Sequence, residues 1–188
     1  PYELAPLSAR ALPEVRYYDR QGNALPEDSA AADIARAVYR VHIQPGIRYQ
    51  PHPAFARDEQ GNYLYHDLSR KQTEAIYTPG DLEQTGTREL TADDFVYQIK
   101  RLVKPGVHSP LGGFMQNYIL DLKELGERLR ADSDNGALPV DLRDYDFAGA
   151  RVIDRYRYEI TLSQKYPQFV YWLAMSFFAP VPWEAEVF

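Results

Sequence analysis

A chain of 188 residues with 45% hydrophobic side chains is long enough for one ordinary domain with a real core, and it holds no apolar run of membrane-spanning length. Its formal net charge of −6 argues against nucleic acid as a partner, because phosphate binding needs a concentrated basic surface. The lack of cysteine excludes a disulfide framework and a thiolate metal site, while 15 tyrosines supply apolar area with polar tips, suited to wet aromatic surfaces or to strands.

Residues 1–33 read as a poor core. Pro1, Pro6, Pro13 and Pro26 punctuate them, Gln21, Gly22 and Asn23 mark a turn, and positions 28–33 are small and polar. An extended edge segment with a short helical turn is expected. From Ala35 the pattern changes. Ala35, Ala37, Tyr39, Val41 and Ile43 alternate with Arg36, Val38, Arg40 and His42, the period of a half-buried strand ending at Pro45 and Gly46. Arg36, Arg40 and His42 would then form a solvated sheet face. Residues 51–89 are polar and rich in turns, with Pro51, Pro53, Gly61, Pro79, Gly80 and Gly86, and Tyr63 and Tyr65 alternate with Leu64 as in a short strand.

The clearest element lies at 90–106. Thr91 and Asp94 have the spacing of a capping box, and Asp93 and Asp94 sit in a first turn where the helix dipole favours negative charge. Phe95, Ile99, Leu102 and Val103 recur at helical spacing, Lys100, Arg101 and Lys104 place positive charge in the last turns, and Pro105 and Gly106 stop the helix. A glycine-containing loop follows at 107–118. Ile119, Leu122, Leu125 and Leu129 then predict a second amphipathic helix at 119–131, with Lys123, Glu124, Glu127 and Arg128 toward water and a turn from Asp132 to Gly136. Positions 141–146 are acidic and irregular. Tyr158, Ile160 and Leu162 alternate with Glu159, Thr161 and Ser163 as a strand, with 151–155 as its hairpin partner. Pro167 is placed to open a short helix through Leu173, and 176–183 are apolar and extended. The expected fold class is α+β: an antiparallel sheet containing 38–43 and 157–163, packed by helices at 92–104 and 119–131, with Phe95, Ile99 and Leu102 facing the sheet.

Catalytic patterns are wanting. No pair among His42, His52, His66 and His108 has the i, i+4 spacing of a helical zinc site, so all four read as surface or strand histidines. Asp93 and Asp94 already cap a helix, and Asp141, Asp144 and Asp146 read as a solvated loop rather than paired acid–base groups. There is no Gly-x-Ser-x-Gly, no phosphate-binding glycine loop and no dinucleotide fingerprint. No enzyme activity, metal or cofactor is expected.

Several stretches stand in a telling order. A strand at 38–43 leads to a Gln-Pro-Gly turn at 44–46, the aromatic Tyr49, and Thr-Ala-Asp-Asp-Phe-Val-Tyr at 91–97 with a basic helix end and Pro105. A two-stranded segment at 152–162, Tyr-Pro-Gln-Phe-Val-Tyr-Trp-Leu at 166–173 and Ala-Pro-Val-Pro at 179–182 follow. Over about residues 34–188 this order resembles the solute-binding proteins of ABC importers, in the family that binds oligopeptides, dipeptides and nickel.

The resemblance implies one module over 1–188, a subdomain of a two-lobed periplasmic binding protein. Residues 1–33 would be its extended N-terminal segment, and 34–188 the subdomain with an insertion at about 51–89, where most members have a short connection. The insertion would cover the outside of the module and carry little of its stability. Members are longer and begin with an export signal, so the chain is expected to be an internal piece of an exported, periplasmic protein. Its implied partners are a peptide or other small solute and, through the full-length protein, the membrane permease subunits. Members also show Ser-Pro followed by a residue that reaches the ligand. That implies contacts from Ser109, Leu111, Gly112, Phe114 and Tyr118, with Phe114 or Tyr118 standing in for the aromatic that some members carry at the place of Leu111. Two glycines at a helix end also let a ligand backbone come close, although a plain helix–helix connector is the alternative. The implied function is capture of peptides or similar solutes for import; the alternative is a ligand-sensing or protein-interaction module of the same fold without transport.

Overall fold

In the computed structural model, which describes residues 3–135 and 140–188, the alternating stretch after Ala35 becomes the middle strand of an antiparallel sheet. Among the described residues the strands are β1 (Glu14–Tyr18), β2 (Ala24–Leu25), β3 (Arg36–His42), β4 (Ala150–Asp154) and β5 (Arg157–Leu162). The helices are α1 (Arg70–Thr73), α2 (Ala92–Arg101), α3 (Gly112–Met115), α4 (Leu122–Asp134), α5 (Phe169–Leu173) and α6 (Glu184–Val187). The fold class is α+β. Two compact units are present: residues 1–44 with 91–180, which hold the whole sheet, and residues 45–90 with 181–188.

In the first unit the sheet order is β2-β1-β3-β5-β4. The register sets Val41 opposite Tyr158, Tyr39 opposite Ile160 and Ala37 opposite Leu162, and all six side chains are buried on one face. Strict two-residue alternation puts them there together. The N-terminal stretch is more than an edge segment. β1 pairs with β3 from Glu14↔Arg40 to Tyr18↔Arg36 and buries Tyr17, while the two-residue β2 takes the edge. Partner and register come from a strand distant in sequence, which local composition does not encode.

α2 is more enclosed than its sequence suggests. Ala92 and residues 94–100 are all buried, not only the apolar stripe. Phe95 stacks on Tyr158 of β5 at 5.0 Å between ring centroids, and Ile99 and Leu102 are buried beside it. The capping box forms, with the Thr91 N–H donating to Asp94 Oδ2 at 2.9 Å. Lys100, expected in the last turns of the helix, is buried and donates from Nζ to the Leu142 carbonyl at 3.1 Å. Burial lowers its pKa, and the nearby carboxylates of Asp146, Asp93, Asp141 and Asp144 oppose that shift. The helix ends at Arg101, short of 104, because Val103 and Lys104 donate to carbonyls only three residues back and tighten the chain out of α-geometry.

α4 starts at Leu122 rather than at 119. Ile119 has helical spacing, but its neighbours bond to the end of β5: Leu120 N–H donates to Thr161 O at 2.9 Å and Ser163 N–H to Tyr118 O at 2.8 Å. Asp121, with φ of 56°, turns the chain from that ladder into the helix. Gly136, expected in the turn that ends α4, lies outside the described residues. Beside Leu120, a Cβ on Gly149 would stand 2.1 Å from its carbonyl oxygen, so only glycine fits.

The face of the sheet opposite the core is not simply solvated. Arg36 is exposed, but Arg40 and Arg151 flank Glu159 in register across β3, β5 and β4. Arg40 donates to Glu159 Oε1 at 2.8 Å from Nε, and Arg151 donates to Oε2 at 2.9 and 2.7 Å. Glu159 is 2% exposed. Burial pushes its carboxyl upward, and the hydrogen bonds and charges of the two guanidiniums outweigh that and hold it below the usual range.

The second unit has its own buried centre. Glu184 at the start of α6 is 1% exposed and accepts from Arg88 at 2.6 and 2.7 Å and from the Tyr63 hydroxyl at 3.0 Å. Tyr63 and Tyr65 form no strand; Tyr63 makes one bridge to Arg57 and stacks on His66, with Trp183 edge-on to both rings. Burial raises the Glu184 pKa and the Arg88 bonds more than reverse this. Before this unit's C-terminal segment, 176–183 are not wholly extended, since Ser176–Phe178 form a 3-10 turn.

Ile99→Ala should destabilise the first unit by about 2–5 kcal/mol in urea unfolding, because a side chain 2% exposed would leave a cavity. Near-wild-type stability would remove α2 from the core. Both depressed glutamates contribute stability that is present above the ordinary glutamate value of about 4.3 and is lost as pH falls through their folded values. Glu159→Gln should therefore cost about 1–3 kcal/mol at pH 7 and progressively less below pH ~4, read from unfolding curves at each pH. A penalty that persists undiminished at pH ~2 would rule out this charge linkage.

Candidate functional site

The loop expected to meet a ligand leaves α2 and becomes α3. Its two glycines have different tasks. Gly112 is buried where a Cβ would stand 2.3 Å from the Leu102 carbonyl oxygen, so it serves the close approach of the loop to the end of α2. Gly113 is exposed, and a Cβ there would meet nothing within 4 Å. Leu111 is buried at 9% exposure, and Ser109 is half-buried, its carbonyl accepting the Gly112 N–H at 3.3 Å.

Phe114 and Tyr118 point the other way. Phe114 is 37% exposed and lies 4.9 Å from the Tyr118 ring and 5.3 Å from Trp172 of α5. Tyr118 stacks on Tyr166 at 4.4 Å, and Trp172 Nε1–H donates to the Tyr166 hydroxyl at 3.0 Å. These four half-open rings make a continuous aromatic ledge, with Tyr171 and Met175 exposed on the same stretch of chain. The sheet fixes the ledge from below. Tyr39 of β3, fully buried, donates its hydroxyl to the Tyr166 carbonyl at 2.8 Å and meets Phe169 edge-on at 5.1 Å. Burial, aided by the nearby Tyr17, pushes the Tyr39 phenol far above its usual pKa, so it keeps its proton and stays a donor.

Of the expected contacts, the structure thus unites Phe114 and Tyr118 and turns Leu111 and Gly112 inward. Tyr166 and Trp172 were not among the expected contacts; the available signal was the density of aromatics at 166–172. Chemically the ledge offers π faces for stacking and hydroxyls for hydrogen bonds, and its four side chains include no nucleophile–base pair. Among the described residues no cluster of three or more His, Asp or Glu is arranged to hold a metal ion, and no helix is long and apolar enough to cross a membrane.

Neither protein-family models nor curated proteins match this chain. Among solved structures it is similar to Listeria monocytogenes OppA bound to peptide, at 15% identity and a TM-score of 0.46, over 95% of this chain and 22% of that one. The chain therefore spans about a fifth of that neighbour's length.

If Gly112 is a packing glycine, Gly112→Ala should lower stability by about 1–3 kcal/mol, while Gly113→Ala should stay within about 0.5 kcal/mol in thermal melts. Equal effects at the two positions would contradict the packed geometry of this loop.

Proposed function

We propose that this chain is part of a binding protein that captures peptides or similar small solutes and passes them to an ABC importer. The observation that carries the reading is the exposed aromatic ledge. Its Phe114 and Tyr118 come from the loop that the Ser-Pro resemblance singles out, and Tyr166 and Trp172 come from the motif further along. Aromatic rings beside hydroxyls suit peptides, covering side chains of varied shape while bonding to backbone amides. The importer class rests on the order of the sequence motifs rather than on the structural likeness. In this reading residues 51–89 are an insertion, the ledge is one wall of a cleft that a second lobe completes, and the full-length protein works outside the cytoplasm beside membrane permease subunits.

Calorimetry with synthetic tri- to pentapeptides tests this on both the 188-residue chain and the full-length protein. The chain should bind weakly, since one wall leaves most ligand contacts unmade, and the full-length protein should bind tightly. In the full-length protein, Phe114→Ala and Trp172→Ala should each weaken binding by about tenfold or more, whereas Arg70→Ala, on a side chain 93% exposed, should not. Unchanged affinity in both aromatic variants would put the ligand elsewhere. A full-length protein that binds no peptide would end the peptide reading.

A further inference from the structure

A concavity lies on the face of the sheet away from the core in the first unit. It is a depression of about 370 Å³ lined by Tyr18, Val38, Leu120, Ala148 and Thr161 together with Arg36, Arg40, Arg151 and Glu159. Three arginines and one carboxylate therefore line it. Register explains their convergence. Arg36, Val38 and Arg40 share one face of β3, Tyr18 stands opposite Arg36, Thr161 opposite Val38, and Glu159 lies between Arg40 and Arg151.

The lone carboxylate is already occupied. Glu159 accepts two N–H bonds on each oxygen, from Nε and Nη2 of Arg40 on one side and of Arg151 on the other, which fills its acceptor capacity. It acts as a spacer that holds the two guanidiniums on either side of it, and each keeps its Nη1 without a partner among the described residues. Arg36 makes no ion pair or hydrogen bond among the described residues; its Nη2 lies beside Gly22, in the β1–β2 turn at the rim. Glu14, opposite Arg40 on β1, is a further carboxylate on this face; it lies 3.8 Å from Arg16 and 3.9 Å from the His42 ring, and its charge also reaches Arg40. Positive charge in the depression thus exceeds negative, in a concavity that also presents apolar Val38, Leu120 and Ala148.

We propose that this depression binds a small organic oxyanion, a carboxylate or a phosphate ester, with Arg36 as its principal contact and the free edges of Arg40 and Arg151 as further donors. Planar guanidiniums match the paired oxygens of such anions, and the apolar walls accommodate a short carbon skeleton. The site is separate from the aromatic ledge and independent of peptide capture.

Titration calorimetry of the 188-residue chain with succinate and, separately, with glycerol 3-phosphate tests it, at constant ionic strength set by sodium chloride. Saturable binding of one or both is expected, and which anion binds identifies the chemistry. Arg36→Gln should weaken it by about tenfold or more, as loss of charge-assisted hydrogen bonds implies, and its exposed, unpartnered side chain puts folding at little risk. Arg16→Gln, on the same face but outside the lining, and Phe114→Ala on the ledge should leave affinity within about twofold. No saturable heat with either anion would overturn the proposal. So would equal losses from Arg36→Gln and Arg16→Gln, which would show a diffuse surface field rather than a site.

Discussion

A helix buried on nearly every side must find partners inside the protein for most of its polar groups, because an unmade buried hydrogen bond costs about 1–3 kcal/mol. α2 meets most of that demand by drawing in distant parts of the chain, and leaves Gln98 Oε1 without a partner among the described residues. The Ala92 N–H, an orphan donor at the helix start, reaches the Arg155 carbonyl in the β4–β5 turn. Gln98 donates to the Phe177 carbonyl at 2.7 Å, and Lys100 to that of Leu142. Three separated segments are thereby tied to one helix. Replacing Gln98 or Lys100 by an apolar residue would leave a carbonyl without its donor.

The same sheet serves two faces with different chemistry. On the core face, Tyr39 carries order from the middle of the sheet to the ledge, through its bond to the Tyr166 carbonyl and its contact with Phe169. The ledge can stay exposed and still hold its shape, since a buried donor rather than solvent fixes its backbone. On the other face, a nearly buried glutamate is neutralised by arginines from the strands on either side. The second unit uses a related device, with Glu184 held by Arg88 and Tyr63. In both units a carboxylate that would resist burial alone becomes a cross-link between chain segments.

Much of the architecture was legible in the sequence by itself. The alternation around Tyr39 and around Ile160 determined two strands and their buried faces, because a two-residue period leaves only one face apolar. Thr91, Asp94 and Pro105 marked α2, because caps and breakers act within a turn of where they stand. Phe114 and Tyr118 could be named as candidates through the Ser-Pro resemblance of their loop.

Other features were decided only by tertiary structure. β1 joined the sheet through a register with β3, Ile119 went to the sheet edge instead of a helix, and Lys100 went inside because the Leu142 carbonyl was there to receive it. Trp172 came beside Phe114 and Tyr166 stacked on Tyr118, and Arg36, Arg40 and Arg151 came to share one depression. The physical reason is common to all of these. Periodicity and capping are set by neighbours within a few residues, whereas pairing, enclosure and the convergence of side chains depend on which distant segment arrives opposite, and that is settled only when the chain closes on itself.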